Sequence, residues 1–148
     1  MKIKAFLLLL VITCLASCHI HDENDPEYKD SVDGDTPGAI WGYNFDKRVP
    51  TRLKDVNPDT LTPAKLIAII NSYNIHLDFV KISTDTIFVQ IKQSTYLTQQ
   101  IGTSGAYVFM STTVYTLTEL KGIKYVNFNF EEGDHARPGT YSRKDFDR

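Results

Sequence analysis

The longest regular pattern of apolar positions in the chain lies between Ser104 and Gly133. Side chains with apolar groups recur there at helical steps: Ala106, Phe109, Met110, Thr113, Val114, Leu117 and Leu120. Ser104 stands where an N-cap belongs, and Gly122 where a left-handed residue ends many helices. A strand is the alternative because the segment is rich in β-branched residues, but usual strands have only about five or six residues. We therefore predict a helix between Ser104 and Gly122.

Period-two patterns on either side of this helix predict strands. After Gly122, Val126, Phe128 and Phe130 fall on one face of an extended segment. Upstream, Ile75, Leu77 and Phe79 alternate with polar residues, and Val80 and Ile82 then shift the phase by one residue, as a β-bulge does. A turn at residues 83–85 leads to Ile87, Val89 and Ile91. These two segments predict an antiparallel hairpin.

The first part of the folded region predicts one strand and one short helix. Ile40, Trp41, Tyr43 and Phe45 indicate a strand, and residues 49–52 an extended continuation whose Pro50 suits only a sheet edge. For Trp41 we favour packing in the core over stacking on a ligand. Thr62 and Pro63 form an N-cap with proline at the first helical position, and the apolar spacing continues to Ser72.

The predicted order is therefore β-α-β-β-α-β, with a further short strand near the C-terminus as an option. Residues 93–104 are expected to be a polar connection to the long helix. Length and order predict a single small α+β domain over residues 39–148, with a mixed or antiparallel sheet and two helices on one face.

Residues 1–17 have the composition of a targeting segment. Lys2 and Lys4 precede an apolar run that is too short to span a bilayer comfortably, and Leu15-Ala16-Ser17 leads into Cys18. This sequence resembles the lipobox of bacterial lipoproteins, which implies that Cys18 is lipidated and becomes the first residue of the mature chain. The alternative is an ordinary secretory signal that leaves Cys18 as a free thiol.

Residues 18–38 read as an acidic, disordered tether, because seven acids and few bulky apolar residues cannot offset the entropy of ordering. The acidic run resembles the export tag of surface-exposed lipoproteins of Bacteroidota. We therefore expect a lipid anchor in the outer membrane, facing the periplasm or the surface. His19, His21 and neighbouring acids could bind a metal, but a solvated tether is the better interpretation.

Charge excludes some partners. Without residues 1–17 the formal net charge falls from −2 to −4, since two lysines and no acids are lost. A mildly acidic chain of this kind argues against nucleic acid as a partner and against anionic lipid beyond the anchor.

Beyond residue 40 the sequence resembles the GerM-type domain, the sporulation and spore germination domain also found in envelope lipoproteins. The resemblance rests on the strand at residues 86–91, on Gly102-Thr103-Ser104-Gly105, on the helix end at residues 114–120 and on Gly122 with Val126-Asn127-Phe128 and Gly133. It implies a compact domain that builds envelope assemblies by packing, with no catalytic residue set. Lys92-Gln93-Ser94 departs from the family's usual end of this strand.

Candidate catalytic groups are few in the folded part. His76 is expected to point outward and His135 to lie in a turn, and neither sits in a nucleophile motif. Glu131, Glu132 and Asp134 are adjacent acids of one turn, which are solvated more often than catalytic. The sequence thus predicts no catalytic residue, no metal site and no cofactor.

The polar side of the long helix carries hydroxyl groups instead of charges, at Tyr107, Ser111, Tyr115 and Thr118. Such a stripe is typical of an interface, although it can equally pack against the first helix within the domain. We predict a non-enzymatic, lipid-anchored envelope module that acts through contacts with another envelope protein, with self-association as an alternative. The alternatives are a carbohydrate- or peptidoglycan-binding module, which needs Trp41 and tyrosines on an exposed platform, and a small envelope hydrolase.

Overall fold

The computed structural model describes residues 38–72 and 74–147 of the chain. The predicted signal peptide (1–17), the predicted lipidation site Cys18 and the predicted tether up to residue 37 lie outside the described residues. The described part is a small α+β domain, as predicted. Its buried side chains form one core cluster, to which both helices and the larger sheet contribute.

The elements follow one another as two strands, a helix, two strands, a helix and two strands. They are β1 (Trp41–Asn44), β2 (Val49–Arg52), α1 (Pro63–Ile70), β3 (Asp78–Ser83), β4 (Thr86–Gln90), α2 (Gly102–Leu117), β5 (Tyr125–Asn129) and β6 (Gly139–Tyr141). Short helical turns occur at Pro58–Thr60, Tyr96–Gln100 and Arg143–Asp145.

The strands form two sheets. β3-β4-β5-β6 is a four-stranded mixed sheet in which only β4 and β5 run parallel, and β1-β2 is a separate antiparallel pair. The predicted order was wrong at its start, since the predicted extended continuation is a strand of its own and the first strand does not join the main sheet. Pro50 lies in β2, which pairs only with β1, and a strand with one partner tolerates a residue that has no N–H to donate.

Local signals located α1 and the hairpin correctly. The Thr62 hydroxyl accepts a hydrogen bond from the Lys65 backbone N–H at 3.3 Å, and Pro63 begins the helix. β3 and β4 pair in antiparallel register, with the predicted irregularity between Phe79 and Lys81. The N-cap at Thr62, the proline at the first helical position and the bulge each depend only on residues close together in the chain. They could therefore be predicted from the sequence.

α2 differs from the prediction at its start and in its surroundings. It begins at Gly102, directly after the π-helical turn at Tyr96–Gln100, so Ser104 is not its N-cap and the connection is not irregular. The predicted end at Gly122 was also wrong: α2 ends at Leu117 with Thr118 as its C-cap, and Gly122, although left-handed with φ +82, lies in the turn beyond. Every residue from Val108 to Leu117 is buried, so the helix is enclosed on all sides and does not present one apolar face.

Three hydroxyl side chains, at Ser111, Thr112 and Thr118, bond to the backbone of α2 itself. The side chains of Ser111 and Thr112 both donate to the Val108 carbonyl, at 3.0 and 2.8 Å, and Thr118 donates to the Val114 carbonyl at 2.8 Å. Each hydroxyl thus finds its partner one turn back in the same helix. The helix can therefore lie in the core without leaving these polar atoms unsatisfied.

Candidate contact surface

The predicted contact stripe on α2 is used largely inside the domain. Ser111 is fully buried and Tyr115 is buried, so neither can be reached by a partner, and the prediction of an intermolecular contact is wrong for these two residues. Tyr107 and Thr118 are half-buried. Packing within the domain, the alternative interpretation, describes the stripe better.

The stripe had been expected to pack against the first helix. It packs instead against β1 and the C-terminal segment. The Tyr107 hydroxyl donates to the Phe146 carbonyl at 3.2 Å, and its ring meets Tyr43 of β1 edge to face with centroids 6.0 Å apart. The Tyr115 hydroxyl donates to the Asp147 carboxylate. Burial and this hydrogen bond raise the pKa of Tyr115 to about 12, so the phenol is neutral and a donor at neutral pH.

A buried carboxylate, Glu119, lies just beyond the end of α2 and collects three donors on one oxygen. Arg143 Nη2 is 2.6 Å from Oε1, Arg52 Nη2 is 2.7 Å and Trp41 Nε1 is 3.0 Å. Burial by itself raises the pKa of the Glu119 carboxyl, but the hydrogen bonds from Arg143 and Trp41 and the positive charges of both arginines outweigh it, and the pKa lies below its ordinary value of 4.5. Glu119 is therefore ionised at neutral pH and accepts hydrogen bonds from three side chains.

The two guanidinium groups also cover the tryptophan. Arg52 lies 4.7 Å and Arg143 5.1 Å from the centroid of the Trp41 ring, and the ring meets Tyr115 edge to face at 4.7 Å. Trp41 has the packing role that was favoured from sequence, half-buried against the core. Half-buried and with two guanidinium groups and Tyr115 against its ring, Trp41 is not the exposed platform that a carbohydrate-binding module would need.

An open cleft of about 690 Å³ lies between α2 and the loop that joins β5 to β6. Its lining combines apolar groups of Ala106, Met110 and Phe146 with the polar side chains of Thr103, His135 and Arg137. His135 Nδ1 is 3.2 Å from Thr103 Oγ1, and Arg137 forms an ion pair with Glu132 at 3.1 Å. The cleft thus contains one hydroxyl–imidazole contact and mixed charges at its rim.

The loop that closes this cleft is fixed by a close backbone approach. A Cβ on Gly133 would lie 2.7 Å from Thr98 Cβ and 2.9 Å from the Thr98 carbonyl oxygen, and the same carbonyl accepts from the His135 N–H at 3.1 Å. Only glycine fits against the π-helical turn at this point. The predicted outward positions also hold: Glu131, Glu132 and Asp134 are exposed, as is His76, whereas His135 is half-buried.

A surface that the sequence reasoning missed is the outer edge of the main sheet. β3 is an edge strand whose six residues are all exposed, and three of them are large and apolar: Phe79 at 48%, Val80 at 50% and Ile82 at 44%. The register pairs Phe79 with Val89 and Ile82 with Ile87, both fully buried. Phe79 and Ile82 therefore point to the helix-bearing side of the sheet, where α1 approaches β3 but leaves both side chains nearly half exposed.

The opposite edge of the sheet is protected in a way that β3 is not. β6 has three residues and follows Pro138, and short edge strands with a neighbouring proline resist further pairing. β3 is twice as long and offers unpaired backbone groups beside exposed apolar side chains. Among the described residues, no strand pairs with its outer side.

In comparisons with known proteins, no family model, no curated protein and no solved structure matches the chain. No group of three or more histidine, cysteine or acidic side chains within residues 38–72 and 74–147 is placed to hold a metal ion. Over the same residues, no helix has the length and apolar character needed to cross a membrane.

Proposed function

We propose that this chain is a non-enzymatic, lipid-anchored module of the bacterial cell envelope that acts through protein–protein contact, and that β3 is its contact surface. One observation carries the choice of surface. Phe79, Val80 and Ile82 together expose apolar area on a strand whose outer backbone edge is open. Edges of this type receive an extended segment from a partner, with main-chain hydrogen bonds supplying affinity and side-chain pockets supplying specificity.

The lipid anchor at Cys18 belongs to the same proposal. An anchored domain shares a plane with its partners, which raises its effective concentration and allows a modest contact surface to be used. The GerM-type resemblance also remains part of the proposal, since it implies a domain that assembles by packing. It supplies no residue-level prediction for β3.

Site-specific photo-crosslinking in intact cells tests the contact surface. A photoreactive phenylalanine analogue replaces Phe79 in one strain and Tyr125 in another; both rings are large and exposed, but Tyr125 lies on β5 inside the sheet. We expect an adduct from position 79 that disappears in the Ile82→Lys background, and none from position 125. Equal adducts at both positions, or none at position 79, would contradict β3 as the contact surface.

The cleft supports a second candidate, a glycan- or peptidoglycan-binding module. Tyr107 and Tyr141 lie in its lining beside Arg137 and Glu132, so rings and hydrogen-bonding groups are close together. Binding of peptidoglycan fragments, measured by calorimetry and lost in His135→Ala and Arg137→Ala while Ile82→Lys binds normally, would move the function from β3 to the cleft. The hydrolase alternative rests on the Thr103–His135 contact and would require turnover that either His135→Ala or Thr103→Val abolishes.

A further inference from the structure

The proposed contact surface on β3 has a feature that concerns the identity of its partner: the strand is complementary to itself. Its register with β4 divides its residues between the two faces of the sheet, with Phe79 and Ile82 on the helix-bearing face. Asp78, Lys81 and Ser83 pair with Gln90, Phe88 and Thr86, and so lie on the opposite face. Val80 is the extra residue at the bulge.

We infer that β3 pairs with β3 of a second copy of this chain, antiparallel and around a two-fold axis, in the register that places Phe79 opposite Ile82 of the second copy. This inference rests on the proposed function and deepens it, because it names the partner. In this register all six residues of the strand find a cross-strand neighbour. It places the two apolar pairs, related by the axis, on the helix-bearing face of a continuous sheet.

Other antiparallel registers are less complementary. A register that sets Phe79 opposite Phe79, or Ile82 opposite Ile82, keeps like faces together but overlaps only part of the strand. A shift by one residue sets Phe79 opposite Lys81 or Ser83 of the second copy, whose side chains lie on the other face of the sheet, so the faces no longer match. Full overlap and matching faces therefore coincide in a single register.

The charged residues of β3 lie on the face opposite the apolar pairs. Lys81 is the kind of residue that blunts an edge strand, but its ammonium lies over the Phe88 ring of the neighbouring strand, 4.9 Å from the centroid. The Asp78 carboxylate forms an ion pair with Lys92 of the same copy at 2.8 Å. In the inferred register Asp78 opposes Ser83 and lies diagonal to Lys81 of the second copy, which has the opposite charge, whereas Lys81 opposes Val80, so the two Lys81 side chains flank the axis on the same face.

The inference predicts a defined cross-link. Cross-strand neighbours of an antiparallel pair have Cα atoms about 4.5–5.5 Å apart, which is within the range for a disulfide. Full-length Phe79→Cys and Ile82→Cys variants, mixed and oxidised, should therefore form a covalent heterodimer. Each variant alone should give only the background of the wild-type chain, which contains Cys14 and Cys18.

Sedimentation of the full chain in detergent provides the second measurement. We expect a concentration-dependent dimer whose dissociation constant rises roughly tenfold or more in Ile82→Lys, since a lysine on each side of the axis meets apolar groups. Leu53→Lys is the matched control, because Leu53 has 41% exposure but lies outside the sheet. Thermal unfolding should show both variants folded.

The outcomes separate this inference from the proposed function. A wild-type chain that stays monomeric, or cross-linking that is equal for mixed and single variants, would overturn the pairing of two copies. If the in-cell adduct at position 79 then contains a different protein, or residues 1–37 of the same chain, β3 takes that occupant instead. If the adduct contains a different protein, the proposed contact function stands although the pairing of two copies is wrong. If position 79 forms no adduct at all, the contact function and the inference fail together.

Discussion

Arg143 and Glu119 join the C-terminal segment to the end of α2, with Arg143 Nη2 2.6 Å from Glu119 Oε1. The same guanidinium donates through Nε to the Thr118 hydroxyl at 2.8 Å and through Nη2 to the Tyr115 carbonyl at 3.1 Å. Arg52 brings β2 to the same carboxylate oxygen. Three parts of the chain that are distant in sequence are thus fastened at one buried acid.

Replacing this acid should destabilise the domain. Glu119→Ala leaves two guanidinium groups facing each other without their shared acceptor, and we expect a loss of about 2–4 kcal/mol, somewhat below the range for a fully buried pair because both arginine side chains keep 35% exposure. Urea unfolding measures the loss. Glu132→Ala, which removes an exposed acid with one partner, is the control and should change stability by less than about 1 kcal/mol.

The Glu119 cluster should also make stability depend on pH. A folded-state pKa below the unfolded value means that the stabilisation is fully present above about pH 4.5 and is lost as the pH falls through the lower, folded pKa. The difference in unfolding free energy between wild type and Glu119→Gln should therefore be constant near neutral pH and shrink in acid. A difference that grows as the pH falls would contradict the lowered pKa.

Sequence patterns located the elements whose signals are local and failed where distant residues meet. Thr62 and Pro63 specified the start of α1, and the phase shift at Val80 specified the bulge, because each depends on neighbours along the chain. The hydrogen bond from Trp41 to Glu119 joins residues 78 positions apart, and no periodic pattern in the sequence predicts it. The contacts that bury Tyr115 also come from residues distant in sequence, so the sequence pattern alone suggested that this side of α2 was exposed.

The exposure of β3 could not be read from sequence for a related reason. Phe79 and Ile82 alternate as core residues do, and they do point to the core side. Whether such residues are buried depends on how completely the helices cover the sheet, and α1 approaches β3 but leaves Phe79 and Ile82 nearly half exposed. A hydrophobic pattern specifies the face of a strand, but the tertiary arrangement decides whether that face is covered.

The packing of α2 gives a prediction about the core. Leu117 is fully buried and belongs to the same cluster as Val126 and Phe128 of β5, so Leu117→Ala should cost about 2–5 kcal/mol through lost burial and the cavity that remains. Chemical denaturation measures it, with Leu53→Ala at an exposed site as the control. A loss below about 1 kcal/mol would mean that α2 is not enclosed.

The predicted anchor can be tested without disturbing the domain. Ala39 and Ile40 are the first buried residues of the described chain, so the core begins well beyond Cys18. Cys18→Ala should move the protein from the membrane fraction to the soluble fraction while its unfolding midpoint stays unchanged. Continued membrane association of this variant, or failure of metabolic labelling with a radioactive fatty acid in wild type, would refute lipidation at Cys18.

The close approach at Gly133 gives the last prediction. In Gly133→Ala the new methyl group would lie 2.4 Å from Gln99 Nε2 and 2.9 Å from the Thr98 carbonyl oxygen, and only the glutamine side chain can move away cheaply. We expect a loss of about 1–3 kcal/mol, typical of overpacking, and faster amide exchange at His135, whose N–H bonds to that carbonyl. Adding Gln99→Ala removes one of the obstructing groups and should restore only part of the stability. Full restoration would show that the side chain alone causes the strain, and an unchanged exchange rate at His135 would show that the loop is not held at Thr98.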